Sequence, residues 1–179
     1  MLIYLQSKHK TKMTIKETIT MHERLPATEA VATSPEAVEA AVHALGNAFH
    51  EDWRKTRLNK EGSFEPRIEP TTDTAWVEAH GTDQVDIANT SYGDAPADLK
   101  DENETAAEVV VGIMVEHNGN VDLNSEDVRD QVGATIHDAW LSRNDWAKGG
   151  ELDVPFAELS AEEQAKDIAQ VEVAQRVFS

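Results

Sequence analysis

Hydrophobic residues recur every three or four positions in four long segments of the chain, a spacing that is typical of amphipathic helices. The first segment begins at Ser34, a good N-cap residue, and Pro35, which is favoured at the first helical position. It is predicted to run to about Leu58. Its apolar face consists of Val38, Val42, Leu45, Phe49 and Trp53.

Three further helices follow the same pattern. Pro96 is predicted to start the second, Asn124 or Ser125 to cap the third, and Ser160 with Glu163 to form a capping box for the fourth. The predicted inward faces are Leu99, Asn103, Ala106, Val110, Ile113 and Met114 in the second helix, Val128, Val132, Ile136 and Trp140 in the third, and Ala161, Ala165, Ile168, Val171 and Phe178 in the fourth.

The segment between the first two long helices has little periodicity. The stretch FEPRIEP, with two prolines, predicts an extended crossing. Thr72 is predicted to cap a short helix that carries Trp76 and ends at Gly81, and residues 85–87 are predicted to form a short strand. The chain is therefore predicted to be mostly α, with short irregular or strand segments in its loops.

Two parts of the sequence match each other. The motif H-x-x-W occurs at His50 and Trp53 and again 87 residues later at His137 and Trp140. A second pair of stretches, YGDAPADLKDEN and FAELSAEEQAKD, matches at a constant offset of 64, so the loop of the first half is longer by 23 residues. A sequence that repeats at a fixed spacing indicates a duplicated structural unit.

The predicted organisation follows from this repeat. Residues 34–120 form the first helical unit with a long inserted loop, and residues 121–179 form the second. The two units are predicted to pack as a pseudo-twofold pair. Residues 1–33 are expected to be peripheral or poorly ordered, and the order of their apolar and basic residues is the reverse of a secretory signal.

These motifs resemble the repeat of ryanodine receptors (the RyR domain), which also occurs as a stand-alone module in bacterial and phage proteins. The family pattern is a helix ending in H-x-x-W, a loop, an extended P-[YF]-x-x-L, and a helix with Asp or Asn near its first turns. The second half matches with Pro155, Phe156, Leu159 and Asp167, and the first half with Tyr92, Pro96 and Asn103. The first half departs from the pattern where Ala95 replaces the leucine. The second half lacks the family's G-W-x-[YF]-G loop, for which Trp146 is the nearest candidate.

The resemblance implies a cleft between paired repeats that holds an adenine nucleotide or another flat ligand between aromatic rings, with no catalysis. The candidate ligand-binding residues are Trp53, Trp140, Arg54, Arg57, His50, His137, Trp76 and Tyr92.

Six of these eight candidates also have a structural interpretation. Trp53 and Trp140 lie on apolar helix faces and could belong to the core rather than form a stacking surface for a base. For the two histidines, a hydrogen bond to a neighbouring carbonyl or carboxylate is favoured over ligand contact. Arg54 and Arg57 could bind a phosphate, or they could lie on a solvated helix end.

Composition narrows the function classes. The net charge of −18 opposes binding to nucleic acid and to anionic membranes. The sequence has no cysteine, which excludes disulfides and makes a reducing cytoplasm the expected compartment. No apolar run reaches the roughly 18 residues that a membrane span needs.

Neither a metal-ligand spacing nor a catalytic motif is present, so no metal, cofactor or catalytic residue is predicted. The predicted function is non-catalytic binding of a small, nucleotide-type ligand. One alternative is a structural or protein-interaction module, such as an acidic decoy. Another is a hydrolase with an unrecognised site. The sequence leaves the oligomeric state open.

Overall fold

The computed structural model describes residues 34–179, and the predicted peripheral segment 1–33 lies outside the described residues. This part of the chain is mostly helical, as the sequence predicts. Its main elements are α1 (Pro35–Lys55), β1 (Ile68–Pro70), α2 (Thr74–His80), β2 (Gln84–Asp86), α3 (Ala97–Glu116), α4 (Glu126–Arg143) and α5 (Ala161–Val177). Single 3-10 turns occupy Tyr92–Asp94, Asp145–Ala147 and Phe156–Glu158.

Helix α1 begins where the sequence predicts. The Ser34 side chain accepts a hydrogen bond from the backbone N–H of Ala37 at 3.2 Å, which satisfies one of the free donors of the first turn. The helix ends at Lys55 rather than Leu58. At this end the Thr56 hydroxyl donates to the carbonyl of Trp53 at 2.7 Å, and the chain turns away from the helix axis.

The predicted cap of the short helix α2 is wrong by one residue. Asp73, not Thr72, is the N-cap, and its carboxylate accepts from the backbone N–H groups of Ala75 and Trp76. Thr72 instead donates its hydroxyl to Asp98 at 2.9 Å. The Asp73 carboxylate satisfies two free backbone donors of the first turn at once. The Thr72 hydroxyl is already used in its hydrogen bond to Asp98.

Gly81 ends α2 with a left-handed φ of 72°, as predicted. The predicted extended crossing and short strand are also confirmed. Strands β1 and β2 pair antiparallel, with Ile68 opposite Asp86. This small hairpin-like unit forms part of the loop between α1 and α3 (residues 56–96), which we call the α1–α3 loop.

One hydrophobic core joins the two halves of the chain. Helix α1 packs mainly against α3, and α5 contacts α1, α3 and α4. Fully buried side chains come from both halves, for example Leu45 and Val110 from the first and Val132 and Val171 from the second. The pseudo-twofold relation between the halves stays a prediction.

The predicted face of α5 is partly wrong. Ala161 and Ala165 are exposed, and Val173 and Ala174 are buried beside Ile168. The first two turns of α5 lie at the margin of the core, where a small side chain has little apolar surface to bury. No helix in residues 34–179 combines the length and the apolar character needed to cross a bilayer.

Candidate functional site

The two histidines of the H-x-x-W motifs are buried and hold loops in place. His50 Nε2 lies 2.9 Å from the carbonyl oxygen of Thr90, and His137 Nε2 lies 3.1 Å and 3.0 Å from those of Leu152 and Val154. Because a carbonyl only accepts, Nε2 is the donor in both rings. The predicted hydrogen bonds to neighbouring carbonyls are confirmed, and in each half they tie the helix to the segment before the 3-10 turn.

A glycine four residues before each histidine makes room for an aromatic ring. A Cβ atom on Gly133 would lie 2.3 Å from the ring of Phe156, and one on Gly46 would lie 2.8 Å from the hydroxyl oxygen of Tyr92. The sequence analysis missed this pair of glycines. The signal was present, because the two glycines share the offset of 87 that relates the histidines.

Two clefts open beside these buried histidines, one of about 230 Å³ in the first half and one of about 220 Å³ in the second. The two clefts have no lining residue in common. Several lining positions nevertheless match across the repeat: His50 with His137, Ala95 with Leu159, Leu99 with Glu163, Glu102 with Lys166, and Asn103 with Asp167. The repeated sequence therefore produces a repeated concave surface.

The two motif tryptophans have different surroundings. Trp140 lines the second cleft and makes an edge-to-face contact with Trp146, with ring centroids 5.5 Å apart. Trp53 lines neither cleft, so neither is formed between the two tryptophans that the sequence analysis paired. Both motif tryptophans are half-buried and lie outside the fully buried core.

Arg54 is engaged inside the protein. It donates from Nε to the carbonyl of Ala88 at 2.8 Å, forms an ion pair with Glu51 at 2.8 Å, and lies 4.5 Å over the ring of Phe64. Its side chain is only 12% exposed, so the prediction of a solvated helix end is wrong for this residue. The buried carbonyl of the α1–α3 loop needs a donor, and Arg54 supplies it.

Arg57 also holds the α1–α3 loop. It donates to the carbonyl of Glu65 at 3.0 Å, and its guanidinium lies 5.6 Å from the ring centroid of Trp53. Neither arginine lines the two clefts. A phosphate contact by these two residues therefore has to compete with the hydrogen bonds that they already make.

Trp76 and Tyr92 do not belong to the same site in the structure. Trp76 stacks on His80 with ring centroids 3.9 Å apart and lies outside both clefts. Tyr92 lines the first cleft, and its hydroxyl donates to Glu104 at 2.8 Å. Burial, reinforced by the carboxylate of Glu104, raises the pKa of Tyr92 above its ordinary value.

Asn103 and Asp167 occupy matching positions of the repeat but make different contacts. The Asn103 amide donates to the carbonyl of Leu99 on its own helix at 3.0 Å. Asp167 instead faces the buried ring of His137, with its carboxylate oxygen 3.5 Å from Nδ1. Burial raises the pKa of Asp167 to about 6, against the opposing effect of His137.

Six residues that line the second cleft were not predicted as site residues: Leu152, Leu159, Glu163, Lys166, Asp167 and Gln170. Lys166 lies 2.6 Å from Glu163, so these two charges compensate each other. Gln170 has a buried side-chain oxygen without a hydrogen-bond partner. The sequence gives no sign that these residues of α5 line a cleft, because the cleft exists only once α4, α5 and the loop between them pack together.

Within residues 34–179 no group of three or more acidic or imidazole side chains is arranged to hold a metal ion. Comparison with protein-family models, with curated proteins and with solved structures finds no match for this chain. The resemblance to RyR repeats stays a prediction from the motifs.

Proposed function

We propose that this protein is a non-catalytic binding module for a small flat ligand, built from two repeats that resemble RyR domains. The observation that carries the proposal is the cleft of the second half, where Trp140 forms an aromatic wall beside the buried His137. Aromatic side chains with a few polar groups are the usual lining of a small-molecule site.

The size of the clefts limits the ligand. Drug-sized ligands occupy pockets of roughly 300–1,000 Å³, whereas the clefts measure about 220 and 230 Å³. Such a volume suits a single ring system rather than a whole nucleotide. For a nucleotide-type ligand we therefore propose that the base enters a cleft and that the sugar and phosphates remain at its mouth.

The charges around the second cleft support ring binding more than phosphate binding. Asp167 and Glu163 line the cleft, and the one lysine of the lining is compensated by Glu163. Because Glu163 and Lys166 compensate each other, an anionic group inside this cleft would meet the remaining negative charge of Asp167, which is unfavourable in a partly buried site. Nucleosides and bases should accordingly bind at least as well as nucleotides.

The non-catalytic part of the proposal is supported by the hydrogen bonds of His137. A general base needs a free ring nitrogen, and a hydrolase triad uses Nε2 for this purpose. Here Nε2 is committed to the carbonyls of Leu152 and Val154, and Nδ1 faces Asp167. This arrangement positions a loop and turns both ring nitrogens towards protein atoms rather than towards water.

The proposal can be tested with protein labelled with 15N at tryptophan, which reports four indole signals. Adenine, adenosine, AMP and ADP-ribose are each titrated into this protein. We expect at least one of them to shift the Trp140 signal saturably while the Trp76 signal stays unchanged. Trp140→Leu should abolish binding, followed through the indole signal of the neighbouring Trp146, and Trp76→Leu is the matched control because that ring lies outside both clefts. An unchanged Trp140 signal across the panel at millimolar concentration contradicts a nucleotide-type ligand.

A protein-interaction module is the second candidate, and one observation favours it. Trp146 is 74% exposed, which is unusual for so large an apolar side chain. Exposed tryptophans are enriched at the centres of protein interfaces. If the protein functions through this residue, Trp146→Ala should remove partner binding in a pull-down but leave ligand shifts of the Trp140 signal intact.

A further inference from the structure

We propose that the second cleft accepts an alkylguanidinium group, held by the carboxylate of Asp167 beside the aromatic wall of Trp140. This inference rests on the proposed ligand-binding function and specifies the chemical class that the second cleft recognises. Trp140 lies on α4, Asp167 lies on α5, and both line the same cleft.

The cleft contains a carboxylate that lacks a close hydrogen-bond donor among the described residues. The Asp167 side chain is only 14% exposed, and its contact with His137 Nδ1 spans 3.5 Å, which is long for a charge-assisted hydrogen bond. Buried polar groups are nearly always paired, and an unpaired one is a cost that a bound donor can remove.

The charged groups around Asp167 leave its negative charge incompletely balanced. His137 faces it from α4, and Glu163 and Lys166 face it from α5. The Lys166 ammonium is held 2.6 Å from Glu163 and 3.9 Å from Glu162, so two other carboxylates share its charge. The raised pKa of Asp167, about 6, agrees with a carboxylate that burial has partly deprived of water. A cation in the cleft would stabilise the ionised form.

A guanidinium fits these features better than an ammonium does. It is planar, it presents several donors in a fixed fork, it stacks on aromatic rings, and it is more weakly hydrated than an ammonium. The fork matches the two oxygens of a carboxylate such as that of Asp167, and its face can stack on an aromatic ring such as that of Trp140 in the same cleft. A cleft of about 220 Å³ has room for the guanidinium and a short alkyl chain. The net charge of −18 also draws cations towards the protein.

The test compares two probes of the same shape. N-butylguanidinium and the uncharged N-butylurea are titrated into 15N-tryptophan-labelled protein at pH 7.5, and dissociation constants are taken from the shift of the Trp140 indole signal. We expect N-butylguanidinium to bind at least about tenfold more tightly, the low end for a hydrogen bond to a charged group. Equal affinity for the two probes overturns the proposal.

Two variants locate the interaction. Asp167→Asn should weaken N-butylguanidinium at least about tenfold, and it is expected to fold because asparagine stands at the matching position of the first half, Asn103. Glu162→Gln is the control, since its carboxylate is 85% exposed and also lies near Lys166 but does not line the cleft. If both variants lose affinity equally, the cation is bound by the general acidic field and the proposal fails.

The pH dependence of binding separates the effect of the Asp167 charge from a general effect of the substitution on the structure. Affinity for N-butylguanidinium should fall between pH 7.5 and pH 5 as Asp167 becomes protonated, and this dependence should disappear in Asp167→Asn. A pH dependence that persists in the variant contradicts the assignment of Asp167 as the acceptor.

The guanidinium could belong to a free metabolite or to an arginine side chain of a protein. A short Gly-Arg-Gly peptide that binds more tightly than N-butylguanidinium indicates a protein source, and one that binds more weakly indicates a small molecule. Failure of this inference is distinct from failure of the proposed function. If adenosine or another panel ligand shifts the Trp140 signal and N-butylguanidinium does not, the inference alone is wrong; if no compound shifts it, both are wrong.

Discussion

Gly133 on α4 lies directly against the ring of Phe156, so closely that a Cβ on the glycine would stand 2.3 Å from the nearest ring carbon. Phe156 is almost completely buried and lies in the single 3-10 turn that leads into α5. The contact therefore sets the distance between α4 and the chain segment that carries the second cleft. Gly46 and Tyr92 form the corresponding contact in the first half.

Gly133→Ala should lower the free energy of unfolding. The added methyl group cannot be accommodated without moving Phe156, and overpacking of this kind costs about 1–3 kcal/mol, which exceeds the gain of at most about 1 kcal/mol from the higher helix propensity of alanine. Urea denaturation followed by circular dichroism measures the change. Gly112→Ala on α3 is the matched control, because nothing lies within 4 Å of its Cβ position and the variant should be stabilised.

Arg54→Ala should destabilise the protein by about 1–3 kcal/mol, because the carbonyl of Ala88 loses its donor in a buried place. Urea denaturation measures the change, and Lys60→Ala, at an exposed position shortly after α1, should change the free energy of unfolding by no more than about half a kcal/mol. Equal effects of the two substitutions would mean that the side chain of Arg54 is not held as the structure shows.

Asp167→Asn should increase stability at neutral pH. Burial raises the pKa of Asp167 to about 6 in the folded protein, against an ordinary value of 3.8, so folding favours the protonated form. The stability that this group contributes is fully present below pH 3.8 and is lost as the pH rises through about 6. The variant should therefore exceed the parent by about 1–3 kcal/mol at pH 7.5, and the difference should narrow towards pH 5. An unchanged difference across this range would show that the carboxyl group does not titrate with a raised pKa.

The ionised carboxylate of Glu104, unlike that of Asp167, should stabilise the folded protein. Burial opposes its ionisation, but hydrogen bonds donated by His43 and Tyr92 to the same carboxylate oxygen outweigh that effect, and its pKa lies below the ordinary value of 4.5. Its stabilising effect should be present above pH 4.5 and be lost as the pH falls through the lowered pKa.

Glu104→Gln should accordingly reduce stability at pH 7, and the difference from the parent should shrink below pH 4.5 in urea denaturation. Glu108→Gln, on an exposed position of the same helix, is the control and should show no such pH-dependent difference. A constant difference between pH 7 and pH 3.5 for Glu104→Gln would contradict the role of the ionised carboxylate.

Periodicity and local capping chemistry determined the helical elements. Ser34, Ser125 and Ser160 each cap the helix that the pattern of apolar residues predicts, since an N-cap depends on the residue and its immediate neighbours. The sequence also predicted that the histidines of the two H-x-x-W motifs hydrogen-bond neighbouring carbonyls, and both do. The exact cap of α2 could not be predicted, as Thr72 and Asp73 are both good caps and the choice depends on Asp98 across the chain.

Only the tertiary structure decided which polar side chains face a cleft and which are used internally. Sequence spacing placed Arg54 beside Trp53 on one helix face. In the structure the α1–α3 loop lies beside Arg54, and the guanidinium donates a hydrogen bond to the carbonyl of Ala88 in that loop. Conversely, Gln170 and Lys166 look like ordinary solvated positions of α5 until α4 and its following loop pack beside them. Periodicity reports which face of a helix is apolar. The partner of a polar atom is set by chain segments far away in sequence, and those become neighbours only when the core forms.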